Sequence, residues 1–392
     1  MTRPALEKAF FYLTLSILLV FLTGLESFAE RVSLSKSNAD LSIDLPEGYM
    51  LTDAAKDGSA FQLDYVIVPV SAIIKVLPEG KYKNTHEALE KTSQSLKSSD
   101  LQIAEVYWRN MTASLSTFNF NLNGIAVYAN AMAAKIPEGK GFVICITWCP
   151  IGQKENCIPF MTSFLDSINI DAGSYFESGI YTQSLYPDSE QWTDVKLEID
   201  GKKIKSKMRA SDQKAAAYLI QREYQVLTLY TQSKQWLQAW KRHYRLIYRD
   251  SFHRLQKVSF DIYNEIAKTC KDETELAQKL LYWVQDFKYE REKNSSDFTP
   301  LPSVLLGSGS DCDSRSMLLC VLLSSMNQDA IMLVSASYSH AMPAITSSHK
   351  GHAFTYNGKE YLMGETTAKG LTWGKIQADQ DNQSQWIPVF FP

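Results

Sequence analysis

An excess of charge of either sign is missing from this sequence. Its 392 residues hold 40 Lys and Arg against 43 Asp and Glu, a formal net charge of −3, so nothing marks it as a nucleic-acid binder. Beyond residue 29 no run is long and apolar enough to span a bilayer. Internal repeats and low-complexity segments are also missing. Gly and Pro do not occur between Ser211 and Asp286, which removes the usual helix breakers there. No cluster of Cys, Asp or Glu accompanies His349 and His352, so these two are not expected to hold zinc. What remains is an ordinary globular composition, 45% hydrophobic and 12% aromatic, enough for two or three domains.

The N-terminus reads as an export signal. Arg3 and Lys8 precede an apolar run from Ala9 to Leu22, and small residues stand at Ser27 and Ala29. Residues 1–29 are therefore expected to be a signal peptide cleaved after Ala29, which makes the protein exported, periplasmic or extracellular. The alternative is an uncleaved segment anchoring the chain to the inner membrane. No Cys lies near its end to carry a lipid.

Residues 31–171 read as a first domain. Strand patterns at Leu41–Pro46, Tyr65–Val76, Tyr107–Leu122, Ile125–Ala134 and Lys140–Trp148 alternate with helices at Thr85–Leu96 and Ile158–Ile168. Asn123-Gly124 is a hairpin signal. The order predicts an α/β sandwich. It resembles the PsbP-like sandwich, through a strand ending at Leu45-Pro46-Glu47-Gly48-Tyr49 and a helix ending at Ser167-Ile168-Asn169-Ile170. That likeness implies binding or scaffolding, with an envelope protein as the expected partner, and no acid/base pair, phosphate loop or metal cluster stands in the region. Cys149 and Cys157 flank a loop and are a candidate disulfide in an exported protein. Reduced packing of Cys145, Cys149 and Cys157 as small hydrophobes is the alternative, and the sequence does not fix the pairing.

Residues 172–210 read as a connector with a hairpin at Asp200-Gly201. From Ser211 apolar residues recur at helical spacing, with a break expected near Asp250-Ser251. Lys241, Arg242, Arg245, Arg249 and Arg254 are expected on a solvated face, with His243 and His253 beside them.

The chemistry concentrates further on. Cys312 stands between Asp311 and Asp313, directly ahead of an apolar run that reads as a buried helix. A helix N-terminus favours a thiolate, the nucleophile of a cysteine enzyme. Antiparallel segments carrying His340, His352 and Glu365 follow, with Asn357-Gly358 as a hairpin turn. A Cys/His pair needs a third group to hold the imidazole tautomer, and Glu365 suits that role.

These residues resemble the transglutaminase-like cysteine peptidase superfamily, in a bacterial exported form. The matching segments are Trp283-Val284-Gln285 to Tyr289, Asp311-Cys312-Asp313-Ser314-Arg315-Ser316, His340-Ala341-Met342 and Tyr361 to Thr367, within residues 260–376. The chain departs from the usual pattern at Ser310, where Gly is common, and at Glu365, where many relatives have Asp. The resemblance implies a papain-type α+β domain over 211–392, with a helical first part, and an α+β class for the whole chain. It implies Cys312 as nucleophile, His340 as base and Glu365 as orienting carboxylate. Hairpin geometry favours His352 as base instead, because its strand pairs with the one leading to Glu365; motif order favours His340. Gln285 is a candidate oxyanion donor. The expected reaction is acyl transfer through a thioester on a protein or peptide substrate, hydrolysis favoured over amine transfer, with no metal or organic cofactor. A catalytically inactive envelope binding or assembly module is the other reading, and membrane contact is expected only through an uncleaved N-terminal segment.

Overall fold

The computed structural model describes residues 32–33, 41–65, 67–291 and 296–392, and the expected signal peptide lies outside these. The chain divides into two compact units, one ending at Ala172 and one beginning at Gly173. The class is mixed α+β, with a sheet-rich first unit. No helix among the described residues is long and apolar enough to cross a membrane.

In the first unit, strands run as β1 (Val32–Ser33), β2 (Ser42–Ile43), β3 (Tyr49–Ala54), β4 (Ala60–Tyr65) and β5 (Ser71–Leu77). Helix α1 (Thr85–Ser95) follows, then β6 (Ser99–Trp108), β7 (Met111–Leu122), β8 (Ile125–Lys135) and β9 (Phe142–Pro150). Helix α2 (Lys154–Asp166) and β10 (Ile168–Asn169) complete it. Seven strands form one antiparallel sheet in the order β3-β4-β5-β9-β8-β7-β6, and β10 pairs with β2 in a small second sheet. Asn84 caps α1, its side chain accepting from the Glu87 amide. Asn123 and Gly124 both take positive φ (53° and 89°), the geometry that a two-residue hairpin turn needs. Central strands β8 and β9 are buried on both faces. Ile144 and Ile146 of β9 join Ala88 and Leu89 of α1 in one cluster. Pleat alternation turns Cys145 and Cys149 to the other face, where α2 lies against β9. The sheet therefore sits between two helical layers.

The second unit runs α3 (Ile180–Leu185), β11 (Trp192–Ile199), β12 (Lys202–Arg209), α4 (Asp212–Thr228), α5 (Trp236–Ile266), α6 (Glu273–Gln285), α7 (Leu301–Leu305) and α8 (Cys312–Ser325). Strands β13 (Ala330–Ser335), β14 (His340–Ile345), β15 (Ala353–Tyr356), β16 (Lys359–Met363) and β17 (Ile387–Val389) follow. The last five make a sheet ordered β15-β16-β14-β13-β17. Helix α8 is buried nearly all round, as its unbroken apolar run requires. It packs on one face of this sheet, while Tyr361, Trp386 and Phe354 cover the other.

Three expectations change. The β11–β12 hairpin is no mere connector, since Val195, Ile199, Ile204 and Met208 belong to the same core as α5 and α8. Helix α5 does not break at Asp250-Ser251. The Asp250 carboxylate, which would have capped a new helix, instead accepts from Arg254 and Ser178. The arginine stretch is not a solvated face either: Arg242, Arg245, Arg249 and Arg254 are buried. Arg242 pairs with Glu223, Arg249 donates to the Glu177 carbonyl, and Arg254 spans Asp212 and Asp250. Helical periodicity reports where apolar side chains lie, and is silent on whether charges find buried partners.

The two histidines of α5 separate sharply. His243 is buried, and burial pushes its pKa down to about 4. His253 is also penalised by burial, but bonds to Asp188 and Glu177 overcome this and raise it to about 9. A raised folded-state pKa stabilises fully below the unfolded value near 6.5 and is lost as pH rises through the folded one. Allowing for its partial exposure, His253 should contribute about 2 kcal/mol at pH 6 that disappears by about pH 10. His253→Gln should therefore lower thermal stability at pH 6 and leave it nearly unchanged at pH 10, and equal losses at both pH values would refute the clamp.

Candidate active site

Helix α8 starts at the residue of interest. Asp311 caps it in extended conformation, its Oδ1 accepting from the Ser314 amide at 3.0 Å and the Ser314 hydroxyl at 2.7 Å. This fixes Cys312 at the first helical position. The preceding turn is pinned by the Ser310 amide donating to the Lys288 carbonyl (3.0 Å) and the Glu290 amide donating to the Ser310 carbonyl (3.2 Å). Arg315, one turn into the helix and 1% exposed, binds the Ser310 hydroxyl, the Phe287 carbonyl and the Thr366 carbonyl. Its guanidinium also lies over the Tyr289 ring. One side chain thus ties the helix to the segment before the Cys and to the loop after Glu365.

His340 opens β14, opposite Ser335 of β13. Ser316 of α8 donates to the carbonyl of the next residue, Ala341, at 3.1 Å, and the Ala341 amide hydrogen-bonds the Cys312 thiol. The thiol therefore lies against the residue beside His340. The β14–β16 pairing is confined to Ala344 and Ile345, continued by the Gly364 amide donating to Pro343. Past that point the strands part, and Glu365 reaches His340. Its Oε2 stands 2.9 Å from His340 Nε2, and its Oε1 accepts from the Thr367 amide and hydroxyl, both at 2.6 Å. With Nε2 engaged by Glu365, Nδ1 is the ring atom left to serve a thiol. Burial works to raise the Glu365 pKa, but His340 and Thr367 outweigh it and the net shift is downward. The buried carboxylate is thereby held as the anion.

His352 has no part in this pair. It is exposed, its backbone bonded to Gly374 and Met363 at the start of β15, and the Glu365 oxygens are taken by His340 and Thr367. Strand pairing brought its backbone near the right strand, but its side chain faces solvent. His349 is also exposed. Gln285 is buried, yet its amide nitrogen donates to the carbonyls of Glu365 (2.8 Å) and Leu371 (2.9 Å). Its oxygen accepts from Gly370. Both N–H groups are spent, so the expected oxyanion role gives way to positioning of the 365–371 loop.

The thiol's surroundings differ from the electropositive setting that a helix N-terminus suggests. Cys312 is 4% exposed, and burial, Asp313 and Asp311 push its pKa up. Its Sγ lies 3.5 Å from Asp313 Oδ1, whose other oxygen accepts from Tyr244 at 2.7 Å. Burial and Asp313 also raise Asp311, to about 6. These surroundings favour the protonated thiol over the thiolate. Oxygens of Asp297, Asp311 and Asp313 lie within 4.8 Å of one another, the one grouping among the described residues whose geometry suits a metal ion. Each has another tie: Asp297 to Arg291, Asp311 to Ser314, Asp313 to Tyr244. Tyr244 and Asp297 are the site residues that sequence reasoning missed. Tyr244 sits 69 positions before its partner in an apolar helical pattern, which gives no local sign of the contact.

Comparison with protein-family models and with curated proteins returned no match. Among solved structures, the Ran-binding protein Mog1p of Saccharomyces cerevisiae is 11% identical, covering 37% of this chain and 97% of its own, with a TM-score of 0.29. LpqN, involved in cell envelope biogenesis of Mycobacterium tuberculosis, is 12% identical over 36% of this chain and 89% of its own, with a TM-score of 0.27. A protein of Bacteroides thetaiotaomicron is 12% identical over 82% and 84% of the two chains, with a TM-score of 0.24. At these scores the likenesses carry no argument about this chain.

Proposed function

We propose that the second unit is a transglutaminase-like cysteine hydrolase or acyltransferase of an exported protein, with the first unit serving as a docking module for an envelope partner. The observation that carries the catalytic reading is the His340–Glu365 pair at 2.9 Å, one residue from the backbone amide that touches the Cys312 thiol. His340 Nδ1 takes the thiol proton as sulfur attacks a peptide or carboxamide carbonyl. The imidazolium, held by Glu365, then returns that proton to the departing amine, leaving a thioester. Water resolves the thioester to an acid; an amine in its place gives a new amide. The Cys312 amide, unpaired within the helix at its first position, is suited to receive the developing oxyanion.

A non-catalytic binding module is the second reading. It is favoured by the burial of the thiol between two carboxylates. Iodoacetamide labelling of the folded protein from about pH 5 to 9, spanning activated and ordinary thiols, separates the two. The catalytic reading expects rapid Cys312 labelling near neutral pH, lost in His340→Ala and retained in His352→Ala. Labelling that rises only in the ordinary thiol range, alike in all three proteins, would favour the binding module.

A further inference from the structure

Cys149 and Cys157 fall outside the chemistry of Cys312 and have a chemistry of their own. Cys149 ends the buried part of β9, and Cys157 lies in the first turn of α2. Pro150 and the short helical turn Ile151–Gln153 fold the chain back between them. Both are fully buried, and their thiols are hydrogen-bonded to each other. Cys145 shares the strand face of Cys149, but four strand residues put their Cα atoms about 13 Å apart, roughly twice the span of a disulfide. The other three cysteines each have a non-cysteine neighbour: Cys270 the Ile266 carbonyl, Cys312 the Asp313 carboxylate, Cys320 the Ile331 carbonyl.

We propose that Cys149 and Cys157 are a redox-modification site, closing to a disulfide that staples α2 to the central strand of the first unit. The step needs a disulfide oxidant of the glutathione class. One thiolate attacks the oxidant, releasing one thiol and leaving a mixed disulfide. The second thiolate displaces the other half as a second thiol. The protein loses two protons and two electrons, and the oxidant gains them. Burial means that the oxidant enters during folding or local opening rather than on the closed sandwich. Cys312, with no cysteine neighbour, is left as the thiol.

The test is a thiol map of the full chain. The protein is unfolded, refolded in a reduced/oxidised glutathione buffer, trapped with N-ethylmaleimide and digested with trypsin without reduction. Cleavage after Lys140, Lys154 and Lys196 puts Cys145 and Cys149 in peptide 141–154 and Cys157 in peptide 155–196. The expected product is these two peptides joined, with Cys145 and Cys312 carrying maleimide; its mass lies 2 Da below the sum of peptide 155–196 and the singly maleimide-labelled peptide 141–154. Fragmentation places the bond at Cys149, and Cys145→Ser keeps it. The oxidised protein should melt several degrees higher, an increment reversed by dithiothreitol and missing from Cys157→Ser. Maleimide or glutathione on both Cys149 and Cys157, or a bond through Cys145, would overturn the proposal. None of these outcomes depends on Cys312 being catalytic.

Discussion

Glu365→Gln should slow acylation of Cys312 by about 10³-fold or more, comparable to losing the orienting carboxylate of a catalytic triad, while the protein stays folded. The reason lies in which oxygen is already committed. Oε1 accepts two hydrogen bonds from Thr367. A glutamine will keep its carbonyl oxygen there and turn its NH2 toward His340 Nε2. That nitrogen must then accept, so the ring proton moves to Nδ1, the atom that takes the thiol proton in the proposed reaction. The geometry survives and the base is in the wrong tautomer. The readouts are the acyl-enzyme burst with p-nitrophenyl acetate and iodoacetamide labelling of Cys312 at pH 7, with circular dichroism as the fold control. A folded variant with the wild-type burst and labelling rate would remove Glu365 from the mechanism.

The second large effect concerns stability. Arg254 has a side chain wholly shielded from solvent and lies 2.7 Å from Asp250 and 3.0 Å from Asp212, with a further bond to Ser178. Arg254→Met fills a similar volume but strands two buried carboxylates. Removing one partner of a buried ion pair costs about 3–5 kcal/mol, because the remaining charge stays desolvated. For a unit of this size that corresponds to a fall in Tm of about 10 °C. The triple variant Arg254→Met, Asp212→Asn and Asp250→Asn should recover much of the loss, since it removes the stranded charges too. A single-variant Tm within 2 °C of wild type, about the scale of a half-kilocalorie change, would mean that the network adds little.

These two predictions rest on different kinds of information. The segment around Cys312 was legible as a helix start and a hairpin because those patterns are local. Asp311 ahead of an apolar run marks a helix start, and Asn357-Gly358 marks a hairpin, whatever the rest of the chain does. The choice between His340 and His352 was not legible. His340 opens β14 and His352 directly precedes β15 of the same sheet, and a strand pattern gives pairing without saying which side chain faces the carboxylate. The same limit applies to Gln285, whose amide could have faced the thiol or the 365–371 loop.

The sequence by itself determined many of the elements: strands β5, β7, β8 and β9 and both helices of the first unit, helices α6 and α8 around Cys312, and the hairpin turns; strands β3, β4 and β6 and helix α7 were not legible in it. The legible signals are periodicity, caps and turns, all set within a few residues by backbone sterics and local hydrogen bonds. Only the tertiary structure decided which charges are buried and what surrounds the thiol. Asp313 meets Tyr244 across 69 residues, and Arg254 meets Asp212 across 42. Electrostatic energy depends on distance in space and on the loss of water around each group, and neither is written in the spacing of residues along the chain.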